Sequence, residues 1–283
     1  MPNDFHPLLE RAAALIGQAD GLIVAAGAGM GVDSGLPDFR GTEGFWRAYP
    51  ALARSGIEFH RIASPAAFEA DPALAWGFYG HRLNLYRRTA PHAGFALLRH
   101  WGDKMFFGRA VFTSNVDGHF QRAGFDADSV HECHGSIHHL QCLQPCSDDI
   151  WSADGFTPEV DEAACRLLNA APVCPRCGGM ARPNVLMFGD GGWIDAREQA
   201  QALRMQRWLA SVTRPVVIEL GAGTAIPSVR HFSQRVVHAC RGRLIRINPR
   251  ESTVPTPHDV GLPMGAVEAL DAIAGVLGSG WRL

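Results

Sequence analysis

Short, predominantly apolar runs recur along this chain, and longer stretches with helical periodicity lie between them. The runs are Leu22–Ala26, Ala110–Thr113, Val216–Leu220 and Leu244–Ile247; apolar residues at helical spacing mark Pro7–Gln18, His92–Trp101, Glu198–Ser211 and Ser228–Ala239. Runs this short, without polar alternation, are strands buried on both faces, as in a parallel sheet whose crossovers are helices. Strand alternating with helix therefore predicts an α/β fold built on a doubly wound parallel sheet. Two segments break the rhythm. Residues 50–88 are aromatic and helical with no strand, and Cys142–Cys177 is loop-like, cysteine-bearing and locally acidic. Both read as insertions. The expected division assigns residues 1–49, 89–139 and 182–283 to the sheet domain, and residues 50–88 and 140–181 to a smaller domain made of a helical module and a zinc ribbon.

Composition limits what such a fold can do. With 283 residues, 47% hydrophobic and 19% charged, the chain has ample material for a core and is not disordered. A formal net charge of −2 leaves no excess of cations for nucleic acid or an anionic membrane, so neither is an expected partner. No stretch approaches the roughly 18 apolar residues of a membrane span, and Met1–Glu10 lacks the basic lead-in of a signal peptide, so a cytoplasmic setting is expected. The seven cysteines are an odd number in a chain too long to need disulfide staples, which suits a reducing compartment. Four of them form the pairs Cys142–Cys146 and Cys174–Cys177, a spacing that makes a tetrahedral thiolate zinc site, structural because every position is filled. Cys133, Cys165 and Cys240 read as ordinary thiols.

The strand ending at Ala26 runs into Gly27-Ala28-Gly29-Met30-Gly31-Val32-Asp33-Ser34-Gly35-Leu36-Pro37-Asp38-Phe39-Arg40-Gly41. A Gly-x-Gly turn after a strand lets backbone amides, here those of Ala28 and Gly29, approach a pyrophosphate. The full stretch resembles the cofactor loop of the sirtuins, the NAD-dependent protein deacylases, with Gly31 standing where that family usually has serine. Three further motifs extend the resemblance. Ser114-Asn115-Val116-Asp117 is similar to Gln-Asn-Ile-Asp, His134-Gly135-Ser136 to the His-Gly signature, and Arg182-Pro183-Asn184-Val185-Leu186-Met187-Phe188-Gly189-Asp190 to Arg-Pro-x-Val-Val-x-Phe-Gly-Glu. Gly221-Ala222-Gly223-Thr224 stands where Gly-Thr-Ser is usual.

The resemblance, which spans nearly the whole chain, implies a Rossmann-like NAD-binding domain, NAD as co-substrate, one structural zinc held by Cys142, Cys146, Cys174 and Cys177, and acyl-lysine proteins or peptides as substrates. It implies that His134 is the general base, that Asn115 orients the ribose and a water, and that Asp117 bonds the nicotinamide carboxamide. Ala26, Gly27, Ala28, Gly29, Asp38, Phe39, Arg40, Ser114, Gly221, Ala222, Gly223, Asn248 and Ala266 would complete the cofactor contacts, and Val185, Phe188 and Gly189 would pair with the substrate backbone. An imidazole suits its role because it titrates near neutral pH. The implied reaction releases nicotinamide and passes the acyl group to ADP-ribose. Tyr79 and Arg82 resemble the Tyr-x-x-Arg of sirtuins that remove succinyl or malonyl groups; three residues apart on a helix, they share a face and would grip a carboxylate. The departures at Gly31, Ser114 and Ala222-Gly223 keep two other readings open. One is mono-ADP-ribosyl transfer or NAD hydrolysis on the same fold, and the other is a non-catalytic NAD-sensing module.

Overall fold

The structure, a computed structural model, describes residues 5–37 and 41–283, and for residues 41–43 the backbone alone. In chain order, α1 (His6–Gln18) and β1 (Gly21–Ala26) precede five helices: α2 (Gly41–Ala48), α3 (Pro50–Arg54), α4 (Phe59–Ile62), α5 (Pro65–Ala70) and α6 (Pro72–Arg88). Then come α7 (Ala93–Asp103), β2 (Arg109–Thr113), α8 (His119–Arg122), β3 (Val130–Glu132), β4 (Gly135–Cys142), β5 (Ile150–Ser152), β6 (Val160–Asp161), β7 (Arg166–Leu167) and β8 (Ala181–Val185). The chain closes with α9 (Ala196–Leu209), β9 (Pro215–Leu220), α10 (Ser228–Cys240), β10 (Arg243–Ile247), β11 (Val260–Leu262) and α11 (Ala266–Leu277).

Six strands form one parallel sheet in the order β11-β10-β9-β1-β2-β3. Burial on both faces explains the apolar runs. Leu22 and Val24 pack with Phe95 and Leu270 on one side, while Ile23 and Ala25 pack with Met205, Val229 and Phe232 on the other. Glu219 is the polar exception in its strand. It lies opposite Arg246 in register and accepts that guanidinium's Nε–H at 2.5 Å, so the pair enters the interior together. The chain winds outward from β1 through β2 to β3, then returns to β9 on the opposite side of β1. The order therefore reverses between β1 and β9, and the crevice beyond their carboxyl ends is where an open α/β sheet binds its ligand.

The smaller domain has its own core, in which Phe68, Trp76, Phe78 and Tyr79 pack against Ile137, Leu140 and Val185. Its helices start where the sequence punctuates. Ser64 and Asp71, each followed by a proline, accept backbone N–H groups of Ala67 and Leu74 at 3.3 and 3.1 Å. Phe45 of α2 and Tyr49 just after it belong to the same aromatic core. The Cys142–Cys177 segment is not simply a loop: β5 pairs with β4, and β6 with β7 as a small hairpin. β4 also pairs antiparallel with β8, register Gly135↔Val185 and Cys142↔Ala181, so the ribbon's sheet begins beside His134.

Candidate active site

Two glycine loops meet at the switch point. Gly29 donates its amide to the Gly221 carbonyl at 3.1 Å. Gly221 has a φ of +60°, and a Cβ there would stand 2.4 Å from Gly29 backbone atoms, so only glycine permits this approach. The Gly29 amide thus fastens one loop to the other instead of facing outward, and a phosphate at this turn would meet Ala28. The remaining cofactor-edge residues are tied to the same place. Thr113 Oγ1 donates to the Ala26 carbonyl at 3.0 Å and accepts the Asn115 amide at 3.0 Å, while Asn115 Nδ2 donates to the Gly27 carbonyl at 3.0 Å. Ser114 donates its amide to the Ala26 carbonyl at 3.2 Å.

On the far loop, the Ala222 carbonyl accepts from Asn248 Nδ2 at 2.9 Å and from the Arg230 guanidinium at 3.0 and 3.2 Å. Asn248 Oδ1 in turn accepts the amides of Arg250 and Glu251, each at 3.0 Å. Asn248 is therefore a buried brace for the loop. Gly223 lies 3.9 Å, measured from a built Cβ, from Glu251 Oε2, and the Glu251 carboxylate also accepts from Thr224 Oγ1 at 2.9 Å. Ala266 opens α11, whose next amide, Val267, donates to Asp33 Oδ2 of the first loop at 2.8 Å. Asp38, Phe39 and Arg40 lie outside the described residues.

His134 occupies the step between the two sheets. Its carbonyl accepts the Leu186 amide at 2.9 Å, and its Nε2 lies 3.3 Å from Ser228 Oγ on the first turn of α10. Gly135 follows with a φ of +76°, and a Cβ there would stand 2.1 Å from the Asn184 carbonyl oxygen. The His-Gly pair is thus a steric requirement of threading one strand past the other. Burial pushes the imidazole below its ordinary range, while the Ser114 backbone opposes that shift. Burial therefore favours the neutral imidazole. Leu186 and Phe188 expose their side chains; the Phe188 ring meets Phe59 at 5.6 Å, and its amide donates to the Ala63 carbonyl at 2.9 Å. Gly189 has open space around its Cα, and Val185 is buried in the small domain's core.

The Sir2 family profile matches residues 27–209 of this chain, from the first glycine loop through the ribbon to the end of α9. The chain belongs to the Sir2 family. Among its relatives, NAD-dependent protein deacylase 2 of Pyrobaculum aerophilum is 31% identical over 258 residues, 91% of each chain. The NAD-dependent protein deacylase of Pyrococcus furiosus is 29% identical over 264 residues, 93% of this chain and 95% of that one. The fold is also that of a solved Sir2 homologue in complex with NAD, with a TM-score of 0.71 at 24% identity over 94% of this chain and 93% of that one.

In this Sir2-family chain, Asp117 is the most perturbed acid of the crevice. It is 7% exposed, and burial pushes its carboxyl up to about 6, with Glu132 adding and the His119 amide, donated to Oδ1 at 2.9 Å, opposing. His138 donates from Nε2 to the Asp117 carbonyl at 2.9 Å, so a histidine that carries no sirtuin motif steadies this loop. Other groups the motifs do not name are Thr113, Arg230, Glu251 and Ser228. Single hydroxyl and charged residues at element ends and on a loop, far apart in the chain, give no periodic signal, and only the fold brings them together. A cavity of about 230 Å³ under α9, bordered by Arg109, His131, Gln201 and Arg204, contains none of the crevice residues.

Tyr79 and Arg82 both lie in the interior of the smaller domain. Tyr79 is 1% exposed and stacks on Phe68 at 5.5 Å, its hydroxyl pushed up to about 12 by burial. Arg82 turns its Nε and Nη2 to the Tyr86 hydroxyl at 3.0 and 2.8 Å and lies over the Tyr79 ring at 5.7 Å. The shared helix face is real, but Tyr86, one turn on, receives the guanidinium.

The four ribbon thiols fit zinc. All four sulfurs lie within 4.8 Å of one another, with Cys142–Cys177 and Cys146–Cys174 at 3.7 Å. Zn–S bonds of about 2.3 Å in a tetrahedron require sulfur separations of about 3.8 Å. The remaining Cys133 and Cys165 thiols are pushed up by burial to about 12 and about 11, consistent with packing roles.

Proposed function

We propose that this chain is an NAD-dependent protein-lysine deacylase that consumes NAD as a substrate, releases nicotinamide and passes the acyl group to ADP-ribose. The observation that carries this reading is the position of His134. A neutral imidazole stands at the switch-point crevice, with its carbonyl bonded to the Leu186 segment and its ring facing the loop that ends at Ser228. NAD supplies an electrophilic ribose carbon. Asn115, anchored to the Gly27 carbonyl, orients the ribose, and Asp117 accepts from the nicotinamide amide. The acyl oxygen displaces nicotinamide at that carbon, and His134 takes the proton of a ribose hydroxyl so that its oxygen attacks the acyl carbon. Lysine departs as the free amine, and a water then adds to the acyl carbon and opens the cyclic intermediate to the acyl-ADP-ribose ester. Positioning and a base of matched pKa carry the rate. The acyl-lysine peptide lies along Leu186–Gly189, and its side chain reaches the crevice past His134. The zinc holds the ribbon and touches no reacting atom. The reducing, cytoplasmic setting belongs to the same reading.

The test is to incubate the pure protein with NAD and lysine peptides carrying acetyl, succinyl or no acyl group. Nicotinamide release that depends on the acyl peptide is expected. Equal release without peptide would instead establish NAD hydrolysis. Acetyl-lysine is the primary substrate in this reading. An acidic acyl group is a second one, supported by Arg82, whose buried guanidinium lies within electrostatic reach of Asp117. Arg82→Met should then harm succinyl-lysine turnover far more than acetyl-lysine turnover, and equal losses would remove the second reading.

A further inference from the structure

Ser228 is the first residue of α10, directly after Pro227 at the cap position; no side chain caps this helix, and the Ser228 hydroxyl stands 3.3 Å from His134 Nε2. The same turn is fixed two residues on, where Arg230 bonds the Ala222 carbonyl and the Glu251 backbone carbonyl at 2.7 Å. Ser228 is half-buried, so its hydroxyl meets the imidazole in a partly desolvated place.

We infer that Ser228 is a positioning residue for the base: its hydroxyl holds the His134 ring with Nε2 turned toward the loop formed by Gly221–Ser228, where the ribose hydroxyls would lie. The inference rests on the deacylase reading and on His134 as its base. The chemistry defines what Ser228 should and should not affect. Nicotinamide departs before the base is needed, whereas attack of the ribose oxygen on the acyl carbon needs the imidazole aligned. With Nδ1 bonded to the Ser114 backbone, Nε2 carries the lone pair; the Ser228 hydroxyl donates to it until an incoming ribose hydroxyl takes over that donation, and Oγ then accepts from the imidazolium. It thereby restricts orientation without taking the proton itself.

The experiment separates the two steps. Enzyme, NAD, acetyl-lysine peptide and labelled nicotinamide are incubated together, and two rates are read: label entering NAD, which reports the first step and its reversal, and free lysine peptide, which reports completion. For Ser228→Ala, completion should fall about 2- to 10-fold, the value of one neutral hydrogen bond. Exchange should persist, the KM for NAD should stay the same, and Ser228→Thr should restore completion. Equal loss of exchange and completion, or a raised KM for NAD, would show that Ser228 merely shapes the cofactor loop and would overturn the inference. Unchanged completion would overturn it as well. His134→Ala serves as the control for the underlying reading. If that variant completes deacylation at the normal rate, His134 is not the base and the deacylase mechanism itself fails, independently of the Ser228 result.

Discussion

Asp117→Asn should make the protein more stable and less active. Asp117 is 7% exposed, and its carboxyl is pushed from 3.8 up to about 6, chiefly by burial. A raised folded value means that the protonated form is the one the fold favours. Its contribution is complete below the unfolded value of 3.8 and is lost as pH rises through about 6. At pH 7.5 the ionised group therefore costs about 3 kcal/mol relative to a neutral one, since each pKa unit is worth about 1.4 kcal/mol. At pH 5 the same linkage gives about half of that. Asparagine keeps an Oδ1 for the His119 amide and removes the charge. Urea titrations of both proteins, zinc-loaded and without NAD, should show the variant more stable by up to about 3 kcal/mol at pH 7.5, or roughly 5 °C in Tm for a chain of this size. The gap should shrink by about half at pH 5. Deacylation should fall in the same variant, because a carboxylate accepts from the nicotinamide amide more strongly than an amide oxygen does. A variant no more stable at pH 7.5, or a gap that widens as the pH drops, would refute the reasoning.

Deacylation by the unmodified protein should decline as pH falls through about 6, and the decline should follow Asp117 rather than His134, which burial holds below its ordinary value; kcat/KM against pH, with and without Asp117→Asn, checks it. Asp190→Ala should cost about 3–5 kcal/mol in urea unfolding, because it strands the fully buried Arg182 that Asp190 now meets at 2.7 and 2.8 Å. Gly221→Ala should weaken NAD binding by about tenfold or more in calorimetry, as left-handed backbone alone costs a residue with a Cβ about 1–2 kcal/mol. Cys142→Ser should abolish zinc in elemental analysis and lower Tm, while added zinc restores neither.

The central strands could be read from sequence because burial on both faces leaves an uninterrupted apolar run, and the zinc ligands because metal geometry demands close cysteine pairs. Strand β3, with only Val130–Glu132, is too short for such a pattern, and it surfaces only through its pairing with β2. Tyr79 and Arg82 illustrate a different limit. Spacing fixes which face two residues share, but it does not point to Tyr86, whose hydroxyl the Arg82 guanidinium also meets. His138 and Ser228 were invisible for a third reason: each acts across the fold on a backbone oxygen or a ring in a distant segment. Only the polar groups that must recur in a fixed local order, such as His134 with Gly135, leave a trace in the sequence itself.

Only Cys133 and His134 separate the last residue of β3 from the first of β4. One sheet carries the cofactor crevice and the other the ribbon and the Leu186 segment, so the imidazole sits on the crank between two rigid arms. Any displacement of one sheet relative to the other is therefore transmitted to the imidazole through a two-residue link.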